Sequence, residues 1–189
     1  DWLADDHRLA SCGRATDRCD LRVVDPEGNF LPTGQAGEIV IKSDLVMKGY
    51  LDMPDATAET IKDGWLYTGD VAAIEEDGFI YIKDRIRDMI VTGGFNVFPS
   101  DVEAVLGQHP AVKECVVFGL PDDKWGEAVQ AAVEVHAGQP ADEDEIIRYV
   151  KSRLDSVKAP KRVHFVDELP RSPVGKVLRR EAKAQFQEA

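Results

Sequence analysis

The pattern of apolar residues changes character at KDRIRD (83–88), and that change constrains the fold more than any other stretch. Upstream, short runs that alternate or stay apolar are separated by glycine and proline turns, as in a strand-rich region. DLRVV (20–24) leads into the turn DPEGN, and GEIVIK (37–42) reads as a second strand. EEDGFIYIKD (75–84) is a predicted hairpin turning at Asp77–Gly78. PDATAETI (54–61) is the one obvious helix there, with Pro54 suited to a first turn and Gly64 soon after its end.

Downstream, helices and strands alternate. PSDVEAVLGQHP (99–110) is a predicted helix in which Ser100 caps, Glu103 completes a capping box and Val102, Val105 and Leu106 form the apolar stripe. AVKECVVFG (111–119), EAVQAAVEV (127–135) and RVHFV (162–166) are predicted strands. DEDEIIRYVKSRL (142–154) and VLRREAKAQFQ (177–187) are predicted helices, the first with acids in its opening turn. The expected class is α+β, with the boundary inside DRIRD. A β-rich piece covers 1–86, and a small α/β domain with a central sheet flanked by helices covers 87–189.

Composition excludes several classes. No apolar run approaches the roughly 18–20 residues of a membrane span, and DWLADDHRLA has no signal-peptide character. Without a starting Met, the chain is expected to be a piece of a longer protein. Three cysteines at no zinc-site spacing point to reduced thiols and a cytoplasmic setting, and four scattered histidines to no metal site. A net charge of −12 repels nucleic acid. Residues 151–189 nevertheless carry a local excess of +5, against −17 for the remainder. That basic end is either a solvated helix face or a landing zone for a phosphorylated small molecule.

Four stretches have residues suited to chemistry, each with a plainer alternative. In WLYTGD (65–70), the Asp70 carboxylate can accept two hydrogen bonds from a vicinal diol such as ribose, or simply bond its own turn. Arg85 and Arg87 in KDRIRD can fork onto phosphates or carboxylates, or stay solvated. Gly93–Gly94 in MIVTGGFNVFP (89–99) lets a backbone approach a ligand, or makes an ordinary turn; GxGxxG spacing is absent. Lys176, after Gly175 in LPRSPVGKVLRR (169–180), is either a tethered cation that meets developing negative charge or a surface lysine.

The order of these stretches decides between the alternatives. Together with SCGRA (11–15), GEIVIKSDLVMKGY (37–50), TAE (57–59), GWLYTGD (64–70), DGFIYIKDRIRDMIVTGGFNVFPSDVE (77–103) and GLPDDKWGE (119–127), the chain resembles the adenylate-forming superfamily, most closely its AMP-forming acyl-CoA synthetases. The resemblance implies that a carboxylic acid, ATP with Mg2+, and CoA are the reactants, joined through an acyl-adenylate with release of AMP and pyrophosphate. It implies that Asp70, supported by Thr68, and Arg85 hold the nucleotide, and that Arg87 is the hinge. This position is more usually Asp or Lys, so Arg87 is a mild departure that keeps the charge of the lysine form. Gly93 and Gly94 would line the path of the CoA arm, Glu127 would support the catalytic lysine, and Lys176 would be that lysine. Residues 1–86 would be the last subdomain of the adenylating domain, and 87–189 its mobile C-terminal domain. The family's phosphate loop and acyl pocket would then lie upstream. Two alternative readings stand beside this one: an adenylation domain that loads a carrier protein, and, because the phosphate loop is absent, a stand-alone non-catalytic module that binds CoA or a partner. Acylation of Lys176 by a protein lysine acetyltransferase is a further implied partnership.

Overall fold

The computed structural model describes residues 6–187. Two compact units meet in the chain between Arg87 and Asp88. After a short helix α1 (Asp6–Leu9), the first unit has strands β1 (Cys19–Val24) and β2 (Ala36–Ser43), helix α2 (Pro54–Thr60), then β3 (Ile61–Lys62), β4 (Trp65–Ile74) and β5 (Ile80–Arg85). These form an antiparallel sheet in the order β1-β2-β4-β3, with β5 also on β4. Val23 and Val24 of β1, Ile39 and Val40 of β2, Val71, Ala72 and Ala73 of β4 and Ile80 and Tyr81 of β5 are buried in it. The predicted hairpin turn is present: the Gly78 amide donates to the Glu75 carbonyl at 2.8 Å, and Gly78 takes φ of 82°, a conformation glycine adopts without strain.

A 3-10 turn (Ile86–Asp88) leads into the second unit. Its elements are β6 (Ile90–Thr92), β7 (Phe95–Val97), α3 (Pro99–Leu106), β8 (Val112–Asp122), β9 (Gly126–Val135), α4 (Glu143–Arg153), β10 (Arg162–Phe165) and α5 (Arg179–Gln187). The sheet runs β10-β9-β6-β7 with β8 also paired antiparallel to β9, and β10 runs parallel to β9. Strands β8 and β9 are apolar almost throughout because both of their faces are covered. Val117, Val129, Ala131 and Val133 pack with Val102 and Leu106 of α3 and Ile146 and Val150 of α4. Val116, Phe118, Leu120 and Ala132 pack with Leu169 and with Ala182 of α5. Phe118 is 1% exposed, and burying such a ring contributes about 2–3 kcal/mol. The α+β class is thus present, with helices on both faces of the second sheet.

Four local details differ from expectation. Helix α3 starts at Pro99 with Phe98 as its N-cap, so Ser100 lies inside the first turn. Glu103 is drawn away from the capping box: its carboxylate accepts from the Val117 amide at 2.8 Å and from Arg179. The helix ends at Leu106, short of residue 110. Helix α5 begins at Arg179 and not at Val177, because Val177 pairs with Arg171 and the Leu178 amide donates to the Pro170 carbonyl. Helix α4 is capped by the Asp142 carboxylate, which accepts from the Glu145 amide at 2.9 Å, a bond that contributes about 1 kcal/mol.

Cys12, Cys19 and Cys115 are free thiols. Burial, then the charges of Glu103 and Glu114, push the Cys115 thiol up to about 12. At pH 8 it stays protonated and unreactive. Iodoacetamide is therefore expected to label exposed Cys12 in the native protein and to spare Cys115 until denaturant is added, as mass spectrometry of the peptides will show.

Candidate functional site

The first group of candidate residues sits on an irregularity of the first sheet. Strand β4 pairs with β2 through Glu38–Val71 and Val40–Tyr67. Thr68, Gly69 and Asp70 therefore face the single residue Ile39, and a bulge of this kind re-aims side chains at the edge of a ladder. The bulge is bonded in place. The Thr68 hydroxyl donates to the Ile39 carbonyl at 2.8 Å and accepts from the Asp70 amide at 3.2 Å. The Gly69 amide, with φ of 74°, donates to the Glu38 carboxylate at 2.9 Å.

Across the β4–β5 ladder, Asp70 lies opposite Arg85, and the Arg85 Nε is 3.6 Å from an Asp70 carboxylate oxygen. Both side chains remain partly exposed, so the pair contributes little stability by itself. Thr68, Gly69, Asp70, Arg85, Ile86 and Arg87 together line one depression of the first unit. A carboxylate with a guanidinium beside it can accept from a diol while the cation meets a phosphate.

The other candidates belong to the second unit. Strands β6 and β7 form a hairpin whose turn is Gly93–Gly94, with φ of 58° and 83°. Two successive positive φ values are what a two-residue turn of this hand requires. The Gly93 amide donates to the Trp125 carbonyl at 2.8 Å, and a Cβ on Gly93 would come within 3.1 Å of the Trp125 ring. A Cβ on Gly94 would meet open space. Gly93→Ala is therefore expected to destabilise the protein by about 1–2 kcal/mol from backbone strain alone, and by more than Gly94→Ala. Urea titration of the two variants checks this order.

Glu127, at the start of β9, accepts from the Val91 amide at 2.9 Å and lies 3.8 Å from the Lys183 ammonium on α5. It ties β6 and α5 to β9. Lys176 stands on a small hairpin between β10 and α5. The Gly175 amide donates to the Ser172 carbonyl at 2.8 Å, closing a turn in which Gly175 takes φ of 84°. The Lys176 carbonyl accepts from the Ser172 amide at 2.8 Å, and its amide donates to the Ser172 hydroxyl at 3.2 Å. The side chain is exposed.

Two carboxylate–arginine groups escaped the sequence reading. Arg179 donates to both oxygens of Glu103 at 2.9 Å and to Asp88 at 3.1 Å. Glu134, 2% exposed, bonds Lys113, Arg171 and the Leu169 amide. Its signal was visible as a lone acid in the apolar run AAVEV (131–135). Among the described residues, no group of three or more His, Cys, Asp and Glu could hold a metal ion.

Two family descriptions match in chain order. Residues 1–51 match that of the AMP-binding enzymes, and residues 101–176 match that of the AMP-binding enzyme C-terminal domain. The chain belongs to the AMP-binding enzyme family. It is 48% identical to the medium/long-chain-fatty-acid–CoA ligase FadD8 of Mycobacterium tuberculosis, over 97% of this chain and 34% of that protein. It is 41% identical to a feruloyl-CoA synthase of Amycolatopsis, over 95% of this chain and 36% of that one. Crystalline ATP-bound MatB of Rhodopseudomonas palustris superposes with a TM-score of 0.89 at 37% identity, covering 95% of this chain and 36% of MatB. The chain thus spans about a third of the length of the relatives it matches.

Proposed function

We propose that this chain is the C-terminal third of an ATP-dependent, AMP-forming acyl-CoA ligase, an acid–thiol ligase that makes an acyl-adenylate and transfers it to CoA. The observation that carries this reading is the bulge at Thr68–Asp70 with Arg85 opposite it, followed in the chain by the Gly93–Gly94 turn and the Lys176 hairpin. Family membership and relatives that are CoA ligases support it. In this reading 1–86 is the last subdomain of the adenylating domain, and 87–189 is the mobile C-terminal domain.

Asp70, with Thr68 holding its backbone, accepts from the ribose hydroxyls, and Arg85 faces the same nucleotide. In the first half-reaction a carboxylate oxygen attacks the α-phosphorus of ATP and pyrophosphate leaves. Lys176 stabilises the charge that develops there without forming a bond. Torsion at Arg87 then exchanges the lysine for the Gly93–Gly94 face, where the CoA thiol attacks the acyl carbonyl and AMP departs. Glu127 supports this face through its bond to the Val91 amide. We place the reaction in the cytoplasm on the reduced-thiol reading. Among the described residues, no helix is long and apolar enough to cross a membrane.

The exposure of Lys176 also gives a lysine acetyltransferase access to it, and acylation would abolish the cation that adenylation needs. The test of the proposed function uses the full-length protein. Carboxylate-dependent exchange of pyrophosphate into ATP reports the first half-reaction, and thioester formation from supplied acyl-adenylate reports the second. Thioester formation from carboxylate, ATP and CoA without AMP release would overturn the reading.

A further inference from the structure

The hairpin that carries Lys176 has little of its own to hold it. Three backbone bonds close it, from Ser172 to Lys176, from Gly175 to Ser172 and from Leu178 to Pro170. Val174 at its tip is 90% exposed. An isolated hairpin of this size is marginal in water, so its shape must be imposed by the domain beneath it.

That support comes from a buried carboxylate. Glu134 lies in the apolar strand β9, where a valine would pack, and burying an ionised carboxylate carries a large desolvation cost. Every bond it makes is directed. One oxygen accepts from the Leu169 amide at 2.7 Å and from the Arg171 guanidinium at 3.0 Å, and the other accepts from the Lys113 ammonium at 2.8 Å. Although burial opposes ionisation, Lys113, the Leu169 amide and Arg171 bring the Glu134 carboxyl down to about 2, so the strut is charged throughout the working range.

Arg171 is the other half. The same nitrogen that meets Glu134 also bonds Glu114, while its second nitrogen donates to the Gly175 carbonyl at 3.3 Å. Glu114 and Glu134 lie directly opposite each other across the β8–β9 ladder, an arrangement of like charges that repels without a cation between them. The guanidinium answers that repulsion and, with its free arm, grips the carbonyl of the residue immediately before Lys176. Only a planar fork reaches these acceptors together.

We propose that Glu134 and Arg171 are positioning residues that hold the 170–178 hairpin in the form that presents Lys176 for adenylation. This rests on the reading of Lys176 as the adenylation lysine, and it extends that reading to two residues that touch no reactant. Orientation of a catalytic group is worth large rate factors, so loosening its support lowers turnover more than binding.

The experiment compares Arg171→Met, Arg171→Lys, Glu134→Gln and Lys176→Ala in the full-length protein. Both half-reactions are followed, with hydrogen exchange of the hairpin amides and of those in β8 and β9. Arg171→Met is expected to lower kcat of adenylation about tenfold or more, with KM for ATP and the thioester half-reaction within about twofold. Exchange speeds up in the hairpin and not in β8 and β9, and Arg171→Lys recovers only part of the rate. Should Arg171→Met not fold, the same signature is required of Glu134→Gln, which keeps the shape of the side chain. Unchanged adenylation, equal loss in both half-reactions, or protection lost throughout β8 and β9 overturns the proposal. If Lys176→Ala itself leaves adenylation intact, the underlying reading falls first. If Lys176→Ala abolishes adenylation while Arg171→Met and Glu134→Gln do not slow it, the strut alone is wrong.

Discussion

Lys176→Ala in the full-length protein is expected to slow carboxylate-dependent exchange of pyrophosphate by about 100- to 1000-fold, while thioester formation from supplied acyl-adenylate stays within a few-fold of the parent. The size follows from electrostatics. Attack of a carboxylate on a polyphosphate brings together groups of like charge, and the transition state adds charge to the phosphoryl oxygens and the leaving group. A single ammonium aimed at that charge in a site closed to water contributes as much as one oxyanion-hole donor. In the proposed second half-reaction AMP leaves a mixed anhydride that is already activated and Lys176 has turned away, so the same cation has little to stabilise there. The folding of the variant is not at stake. Lys176 is exposed, and the bonds that shape its turn come from backbone and from Ser172. Equal losses in both half-reactions would contradict the assigned role, as would an unaffected exchange rate.

Much of this arrangement was legible in the residues because it rests on local rules. The mainly apolar character of AVKECVVFG and EAVQAAVEV reflects a strand pair covered on both faces, by α3 and α4 on one side and α5 on the other. Gly93–Gly94 reads as a turn because two adjacent positive φ values almost demand glycine. Non-local partners were not legible. Ser100 and Glu103 have the spacing of a capping box, but Arg179, 76 residues away, captures the Glu103 carboxylate. Pro99 takes the first helical position, so the cap falls at Phe98, two residues before Ser100. Val177 and Leu178 continue the apolar spacing of α5, yet their backbone is spent on the hairpin to Arg171 and Pro170, which suits a β-branched valine. Asp70 and Arg85 are separated by fifteen positions in the sequence, and only the register of β4 and β5 brings them face to face. Glu134 was visible as an acid in an apolar run, but a single strand does not disclose which cations converge on it.

Arg179→Ala is expected to destabilise the second unit by about 2–3 kcal/mol. The guanidinium binds both oxygens of Glu103 at 2.9 Å and reaches Asp88 at 3.1 Å, with all three side chains about three-quarters buried. Removing it leaves two carboxylates in a partly desolvated place, with the Val117 amide as the remaining donor to Glu103 described there. Most of the loss is then the penalty of uncompensated charge and not of a missing attraction. Arg179→Met combined with Glu103→Gln should for that reason be more stable than Arg179→Ala alone, a sign of coupling that simple additivity forbids. Urea titration decides it: the midpoint falls in the single variant, partly recovers in the double, and the slope stays constant. Asp88 is the first residue of the second unit, directly after Arg87, so the clamp also fixes where that unit begins. If Arg87 is the hinge, loosening Asp88 blurs its end. Arg179→Ala should then slow the step between the two half-reactions in single-turnover experiments, even at temperatures where the variant is fully folded. A variant as stable as the parent would show instead that solvent screens the three charges.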